Sequence, residues 1–98
     1  QVPEEKSYEY NTYHTYIIRT DKRDKLQKYL LKNGIETKIH YPTPIHLLKA
    51  SKKLKFKSGS LPNTEKISKQ ILTLPINQYL KNRDITKIIR SVKNFFGG

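Results

Sequence analysis

Near its end the chain carries large apolar residues at the spacing of one helix face. They occupy positions i, i+3, i+4, i+7, i+10 and i+11 of a single run: Ile85, Ile88, Ile89, Val92, Phe95 and Phe96. A helix with such a stripe needs a partner surface, because an isolated short helix is marginal in water. Asn82 suits the N-cap and Asp84 the positive end of the helix dipole. We therefore predict a helix over residues 84–96 that packs on a sheet.

Shorter patterns precede this helix. Residues 13–20 are rich in aromatic and β-branched side chains, which predicts a strand with Ile18 on its core face. A helix is predicted next, capped by Asp21 and ended at Gly34, where glycine readily takes a left-handed conformation. Residues 35–39 alternate apolar and polar side chains and predict a second strand. The helix between the two strands carries one apolar stripe: Leu26, Tyr29 and Leu30.

The middle of the chain is less regular. A short helix is predicted within residues 45–50, followed by a lysine-rich mobile loop that ends at Ser60. A further helix is expected with Asn63 or Thr64 as its cap. Glu65 then falls in its first turn, where the helix dipole favours an acidic side chain.

These elements indicate one α/β (α+β) domain with a small three-stranded sheet. The third strand is predicted over residues 72–74, because Pro75 stops any helix there. It could lie between the first two strands and antiparallel to them, in a split arrangement, with the helices on one face of the sheet. We expect residues 1–12 to be a linker remnant, residues 13–96 to be the domain and residues 97–98 to be a tail.

Length and composition limit the class of protein. The 98 residues suffice for one domain, and the absence of any Met favours a piece excised from a longer polypeptide. The chain has no cysteine, which excludes disulfides and thiolate metal sites. No apolar run approaches the ~20 residues that a membrane helix needs, and the N-terminus does not resemble a signal peptide. We therefore expect a cytoplasmic protein without a membrane partner.

The net charge of +12 fits a polyanionic partner. However, 16 of the 20 cationic residues are Lys and only four are Arg, whose planar fork suits specific phosphate or base contacts better. The sequence has neither the aromatic and glycine pattern of an RNA-recognition domain nor a clear helix-turn-helix. A basic nucleic-acid-binding module therefore stays an alternative, and nucleic acid is not the expected partner.

The side chains best suited to bind a ligand are concentrated in one segment directly after the second predicted strand, His40-Tyr41-Pro42-Thr43-Pro44-Ile45-His46. Two prolines stiffen its backbone, and its two imidazoles and one phenol can hydrogen-bond to a ligand. A rigid group of polar aromatic residues at the end of a strand is typical of one wall of a binding site. A stiff turn whose histidines satisfy local carbonyl groups explains the same residues equally well.

No catalytic residue is predicted elsewhere. The chain lacks a nucleophile elbow and a phosphate-binding glycine loop, and its few acidic residues offer no pair for acid and base catalysis. His14, His40 and His46 would need a fourth ligand to hold zinc, so no metal site is predicted. The lysines lie on predicted outer helix faces or loops, so none stands out as the desolvated amine that a Schiff base needs.

Four motifs follow one another along the chain: Gly34-Ile35-Glu36-Thr37, His40 to His46, Leu61-Pro62-Asn63-Thr64-Glu65 and Leu72-Thr73-Leu74-Pro75. Together they resemble the C-terminal part of the pyridoxal-phosphate-dependent nucleotide-sugar aminotransferases of the DegT/DnrJ/StrS type. The family also has a strand similar to residues 14–19 before its first helix, and a closing helix similar to residues 84–96. The resemblance therefore covers nearly the whole chain, from about Tyr13 to Phe96.

This resemblance implies the small C-terminal domain of a fold-type I aminotransferase that acts as a homodimer. Such enzymes use pyridoxal phosphate to transfer an amino group, usually from glutamate, to a keto sugar attached to a nucleotide. Some relatives dehydrate the sugar with the same cofactor, so a dehydratase stays an alternative. The Schiff-base lysine would lie in a large domain absent from this chain. We therefore expect this domain alone to bind no cofactor and to be inactive.

The resemblance also implies which residues bind the substrate. His40, Tyr41 and His46 would line the sugar-nucleotide pocket, with hydrogen bonds from Tyr41 and His40 to sugar or phosphate oxygens. The two prolines between them would fix the loop in advance and lower the ordering cost of binding. The lysines of residues 49–57 could attract the diphosphate through long-range charge, although a solvated loop explains them as well.

Overall fold

The computed structural model describes residues 1–98 and contains two strands, three α-helices and two short 3-10 helices. The 3-10 helices span Ile45–Leu47 and Lys49–Leu54. The strands and α-helices are, in chain order, β1 (Tyr16–Arg19), α1 (Arg23–Lys32), α2 (Pro62–Ser68), β2 (Ile71–Leu74) and α3 (Asn82–Phe95). The prediction of mixed helices with a small sheet is confirmed, and the prediction of three strands is wrong. Residues 72–74 lie in β2 as predicted, whereas residues 35–39, the second predicted strand, form none.

The sheet consists of β1 and β2, which pair antiparallel with Ile17 opposite Thr73. Residues 35–39 contribute one isolated antiparallel bridge, in which Lys38 and Thr73 exchange both backbone hydrogen bonds at 3.1 and 2.7 Å. This bridge lies on the edge of β2 opposite β1. Residues 35–39 therefore occupy the predicted place beside the sheet without forming a strand.

Two neighbours of Thr73 explain why the pairing stops after one bridge. An antiparallel ladder would continue two residues away in each direction, at Pro75 and at Ile71. Pro75 has no N–H to donate to a partner strand. The carbonyl oxygen of Ile71 instead accepts a hydrogen bond from Nη1 of Arg23 at 3.3 Å. Both positions that would extend the ladder are thus lost to it.

The hydrophobic core lies between the sheet and the helices. The strand and helix stripes predicted for Ile18 and for α1 are confirmed, since these residues belong to the core. α3 packs on it through Ile88, Val92 and Phe95, while Phe96 is half exposed. Only part of the apolar face of α3 therefore meets the sheet. The buried apolar side chains are Ile18, Leu26, Leu30, Ile35, Leu72 and Leu74.

The predicted helix caps are mostly wrong. α1 begins at Arg23, and Asp21 accepts a hydrogen bond from the Gln70 side-chain amide instead of capping the helix. α2 begins at Pro62, so neither Asn63 nor Thr64 caps it. Proline suits the first position of a helix because its missing N–H would have no partner there. The placement of Glu65 in the first turn of α2 is confirmed.

The other two helix ends follow the sequence more closely. α3 begins at Asn82 itself, and Asp84 accepts a hydrogen bond from the backbone N–H of Lys81 at 3.1 Å. α1 ends as predicted at Gly34, whose φ of +72° lies in the left-handed region. The N–H of Gly34 donates to Leu31 O at 3.0 Å, which satisfies one of the last helix carbonyls.

Residues 45–60 are more regular than predicted. The short α-helix expected within residues 45–50 is replaced by the 3-10 helix Ile45–Leu47, and the first part of the expected loop is the 3-10 helix Lys49–Leu54. The hydroxyl of Ser51 donates to Ile45 O at 2.6 Å and joins the two turns. These contacts hold the segment after His46 in a defined shape.

Residues 1–12 contain no helix or strand. Gln1 pairs with the free edge of β1, since its amino group donates to Arg19 O and its carbonyl accepts from Arg19 N, both at 2.9 Å. Glu5 accepts hydrogen bonds from Asn11 N and the Tyr13 hydroxyl at 2.9 and 2.8 Å. No helix in the structure has the length and apolar character needed to cross a membrane.

Candidate functional site

The segment of residues 40–46 leaves the edge of the sheet just after the Lys38–Thr73 bridge and crosses towards α2. The peptide bond between its first two residues is cis. Residues 41–43 form no hydrogen bond with the rest of the chain, whereas His40 and His46, at the two ends, each make one through a ring nitrogen. The segment is thus a short loop tied down at both ends, which we call the His loop.

His40 is tied to the sheet. Its Nδ1 lies 2.9 Å from the hydroxyl of Thr73, a buried residue at the centre of β2. The half-buried imidazole therefore has a fixed orientation. Its other nitrogen, Nε2, makes no hydrogen bond within the chain. That nitrogen can donate to or accept from a ligand, depending on the tautomer.

Tyr41 extends into solvent beside His40. Its side chain is 75% exposed, and its hydroxyl has no hydrogen-bond partner in the chain. The His40 and Tyr41 rings meet edge to face, with centroids 5.8 Å apart and planes at 76°. His40 and Tyr41 therefore form one pair of adjacent polar aromatic groups, of which Tyr41 is exposed and His40 is half-buried.

His46 faces the interior instead. Its side chain is 5% exposed, and Nε2 lies 2.9 Å from Oε1 of Glu65. The ring also packs edge to face on Phe56, with centroids 6.0 Å apart. The structure thus brings His40 and Tyr41 together at the surface and places His46 in a buried pair with Glu65.

The Glu65 carboxylate accepts from more than His46. The backbone N–H of Gly59 lies 2.9 Å from both carboxylate oxygens, and that of Leu61 lies 3.4 Å from Oε1. The hydrogen bond from His46 is the largest cause that lowers the pKa of Glu65, and the bond from Gly59 is the next. Glu65 therefore stays ionised at neutral pH and draws three segments together.

Two residues of the site escaped sequence reasoning. Thr73 was predicted only as part of a strand, and Glu65 only as a favourable residue at a helix start. No local pattern pairs either one with a histidine, because 33 residues separate His40 from Thr73 and 19 separate His46 from Glu65.

The lysines of residues 49–57 all lie on the surface. None of them forms an ion pair, since the salt bridges of the chain involve other residues. No acidic residue occurs between Glu36 and Glu65, so the His loop and the lysines that follow it share an uninterrupted stretch of positive charge. Such a stretch raises the local concentration of anionic ligands.

No residue of this chain has the surroundings that a Schiff-base lysine requires. All 16 lysines are exposed, whereas a lysine that forms an imine near neutral pH is commonly desolvated in an apolar pocket. Lys38 is the clearest contrast, because its hydrogen bond to Glu36 raises its pKa and favours the ammonium form. The chain likewise contains no cluster of three His, Cys, Asp or Glu side chains that could hold a metal ion.

Known proteins share the sequence and the fold of this chain. The sequence matches the DegT/DnrJ/EryC1/StrS aminotransferase family over residues 1–93. It is 37% identical over 94 residues to a pleiotropic regulatory protein of Geobacillus stearothermophilus, covering 96% of this chain and 25% of that protein. It is 36% identical over 83 residues to the dTDP-3-amino-3,4,6-trideoxy-alpha-D-glucose transaminase of Streptomyces venezuelae, covering 85% of this chain and 22% of that enzyme.

A solved structure extends the similarity to the fold. A DegT DnrJ EryC1 StrS aminotransferase from Brucella abortus superimposes with a TM-score of 0.89 at 35% identity, over 100% of this chain and 26% of that one. The chain thus spans about a quarter of the length of the proteins that it matches. Its match to the family profile covers nearly every residue, and the small two-stranded sheet with its helices has the same arrangement. The chain belongs to the DegT/DnrJ/EryC1/StrS aminotransferase family.

Proposed function

We propose that this chain is the C-terminal small domain of an aminotransferase that acts on a nucleotide-linked keto sugar, with glutamate as the expected amino donor. The observation that carries the proposal is the family match over residues 1–93. Relatives that share 28–36% of its residues are transaminases of dTDP- or UDP-linked sugars. Neither the dehydratase nor the nucleic-acid-binding alternative gains support from these relatives.

In this proposal the His loop forms one wall of the sugar-nucleotide pocket. Tyr41 donates or accepts a hydrogen bond through its free hydroxyl, and His40 does so through Nε2, since its Nδ1 is engaged by Thr73. His46 supports the wall from behind, because its ring is buried against Glu65. The exposed lysines after the loop draw the diphosphate towards the pocket.

The family depends on pyridoxal phosphate, which, when bound, supplies the electron sink for amino transfer. Because every lysine here is exposed, we propose that the Schiff-base lysine lies in a large domain outside this chain and that these residues alone hold no cofactor. The family resemblance further supports a cytoplasmic homodimer as the complete enzyme. The half-exposed apolar residues of α3 are available for contacts with the large domain.

The test uses the polypeptide encoded by the whole reading frame that contains this chain. We expect it to bind pyridoxal phosphate and to form glutamate from 2-oxoglutarate when a dTDP-linked or UDP-linked amino sugar is supplied. Loss of water from the sugar without glutamate formation would support the dehydratase instead. A reading frame that encodes no large domain, or no turnover with either nucleotide, would overturn the proposal.

Replacement of the Tyr41 hydroxyl tests the role of the His loop. Y41F should raise the KM for the nucleotide sugar about tenfold, the cost of one hydrogen bond to a charged or polar group. The KM for glutamate should not change. Y79F is the matched control, because Tyr79 is 81% exposed and lies far along the chain from the loop. An equal effect of the two substitutions would remove Tyr41 from the pocket.

A further inference from the structure

Glu65 joins His46, at the far end of the His loop, to α2 and to the turn before it. Its carboxylate accepts from His46 at the end of the loop and from Gly59 and Leu61 in the turn before α2. Because Glu65 itself belongs to α2, one side chain joins the loop, the turn and the helix. Its side chain is only 16% exposed, so it acts from behind the surface that a ligand would meet.

The Ser51 hydroxyl also holds Ile45 O at 2.6 Å, but the middle of the loop has little to fix its position. Tyr41 and Ile45 are 75% and 74% exposed, and residues 41–43 make no hydrogen bond. Beneath the loop lies a shallow cavity of about 290 Å³, lined on one side by Tyr41, Thr43, Pro44 and Ile45 and on the other by α2 and Ile71. The loop therefore spans an open space between its two anchors and does not rest on a packed surface.

We propose that Glu65 is a positioning residue that fixes Tyr41 and His40 for the nucleotide sugar by anchoring His46. The inference rests on the proposed function for its substrate, although the anchoring itself does not. Tyr41 lies between two anchors, the His40–Thr73 and His46–Glu65 hydrogen bonds. In this proposal its ring keeps its position only while both hydrogen bonds are formed. Release of the His46 end lets the loop move into the cavity and carries Tyr41 with it.

The carboxylate form of residue 65 is what the geometry requires. The N–H groups of Gly59 and Leu61 are donors, and His46 Nε2 fits as a third donor to the same two oxygens. An amide has only one acceptor oxygen and would turn an NH2 group towards one of these donors. E65Q therefore breaks part of the set while it keeps the shape of the side chain.

The experiment compares E65Q, H46F and the double variant in the complete enzyme. H46F keeps an aromatic ring against Phe56 and removes the nitrogen that meets Glu65. Each single variant should raise the KM for the nucleotide sugar about tenfold, with the KM for glutamate little changed. The double variant should also show about tenfold and not a hundredfold, because Glu65 acts through His46.

A second readout does not depend on the substrate. With 3-fluorotyrosine incorporated, the fluorine signal of Tyr41 should shift or broaden in E65Q and in H46F, while that of Tyr79 stays unchanged. E36Q is the matched control, because Glu36 also accepts a hydrogen bond from a side chain but lies at the surface. It should leave both the KM and the Tyr41 signal as in the wild type.

The outcomes separate the two proposals. A wild-type enzyme without affinity for nucleotide sugars overturns the proposed function, and the fluorine signal then still reports whether Glu65 positions the loop. An unchanged Tyr41 signal in both single variants overturns the positioning role. The same follows if the two KM effects multiply in the double variant, or if the KM for glutamate rises in parallel.

Discussion

Glu65 is the residue through which pH acts most directly on the His loop. The hydrogen bonds from His46 and Gly59 lower its pKa from the ordinary value of 4.5. A carboxyl group whose pKa is lower in the folded state contributes stability that is complete above its unfolded pKa. That contribution is lost as the pH falls through the lower, folded pKa. Acid should therefore loosen the loop and the turn before α2 together.

We predict that E65Q flattens the acid limb of stability. The free energy of unfolding of the wild type should fall between about pH 5 and pH 3, measured by urea denaturation monitored by circular dichroism. In E65Q this slope should be smaller and the stability at pH 7 lower. E4Q is the control, because Glu4 is exposed and makes no side-chain hydrogen bond. Parallel curves for the wild type and E65Q would contradict the prediction.

At the residue scale, the sequence identified the chemistry of the His loop better than its geometry. The loop contains two histidines, and both were predicted to line a pocket. The buried state of His46 depends on Glu65 and Phe56, which come from later parts of the chain. A residue pattern records which groups can form a hydrogen bond, whereas burial depends on which distant partner the fold delivers. The assignment of His40, Tyr41 and His46 to the pocket stays a prediction.

At the scale of elements, the end of α1 shows how closely a turn can depend on one residue. Gly34 has a φ of +72°, and its N–H and that of Ile35 close the helix on the carbonyls of Leu31 and Leu30 at 3.0 and 2.9 Å. A side chain added at Gly34 would find space, since the nearest atom to a new Cβ is Lys87 Nζ at 3.5 Å. The cost of a substitution is therefore conformational.

G34A should lower the free energy of unfolding by about 1–2 kcal/mol, the penalty of a left-handed conformation for alanine. G34N should cost less, because asparagine tolerates this region better. Urea denaturation at pH 7 measures both. G59A gives no clean control, since Gly59 also donates to Glu65, so the comparison of alanine with asparagine at one position is the informative one. Equal losses would argue against a conformational origin.

The stripe of α1 provides a matched pair of leucines. Leu30 is fully buried, whereas its neighbour Leu31 is 63% exposed. L30A should cost about 2–5 kcal/mol through lost burial and a residual cavity, and L31A no more than about 0.5 kcal/mol. In so small a domain the first loss should leave much of the chain unfolded. Thermal and urea denaturation would show this, and similar midpoints for the two variants would contradict the packing described here.

Periodicity predicted the helices well and the sheet less well. α1 and α3 lie where their apolar stripes placed them, because a helix is decided by residues within its own span. The alternation of residues 35–39 was correct as a pattern, since Ile35 and Thr37 are buried. A strand also needs a partner ladder, and that ladder ends because of Pro75 and the bond from Arg23 to Ile71. Both causes lie outside residues 35–39, so the alternation within that segment does not indicate them.

At the scale of the whole molecule, little of the chain is buried. Only 12 of 98 residues are buried, and six of these are apolar. A core of this size leaves a small margin of stability. Large apolar side chains meanwhile remain on the surface. Some of them line a groove of about 350 Å³ between the end of β2 and α3. The groove is lined mostly by apolar residues, including Ile76, Leu80, Ile85 and Ile89.

Salt should reveal this apolar surface. The net charge of +12 keeps copies of the chain apart at low ionic strength, and that repulsion is screened over ~3 Å at 1 M salt. We predict that static light scattering of the chain rises between about 50 mM and about 1 M NaCl. I89K should suppress the rise, and V2K, which adds the same charge at an exposed site away from the groove, should not.

The exposed apolar side chains of α3 and the excess of lysine have opposite effects on the solubility of the molecule. Ile85 and Ile89 on α3, and Phe96 directly after it, expose apolar surface that favours association, whereas the positive charge of the lysines opposes association. A change in the net charge therefore limits how much exposed apolar surface the molecule can tolerate, and the reverse also holds. A sequence with a lower net charge would stay soluble only if the α3 face became covered or more polar. The lysine content of the surface is therefore linked to the exposed apolar area of α3.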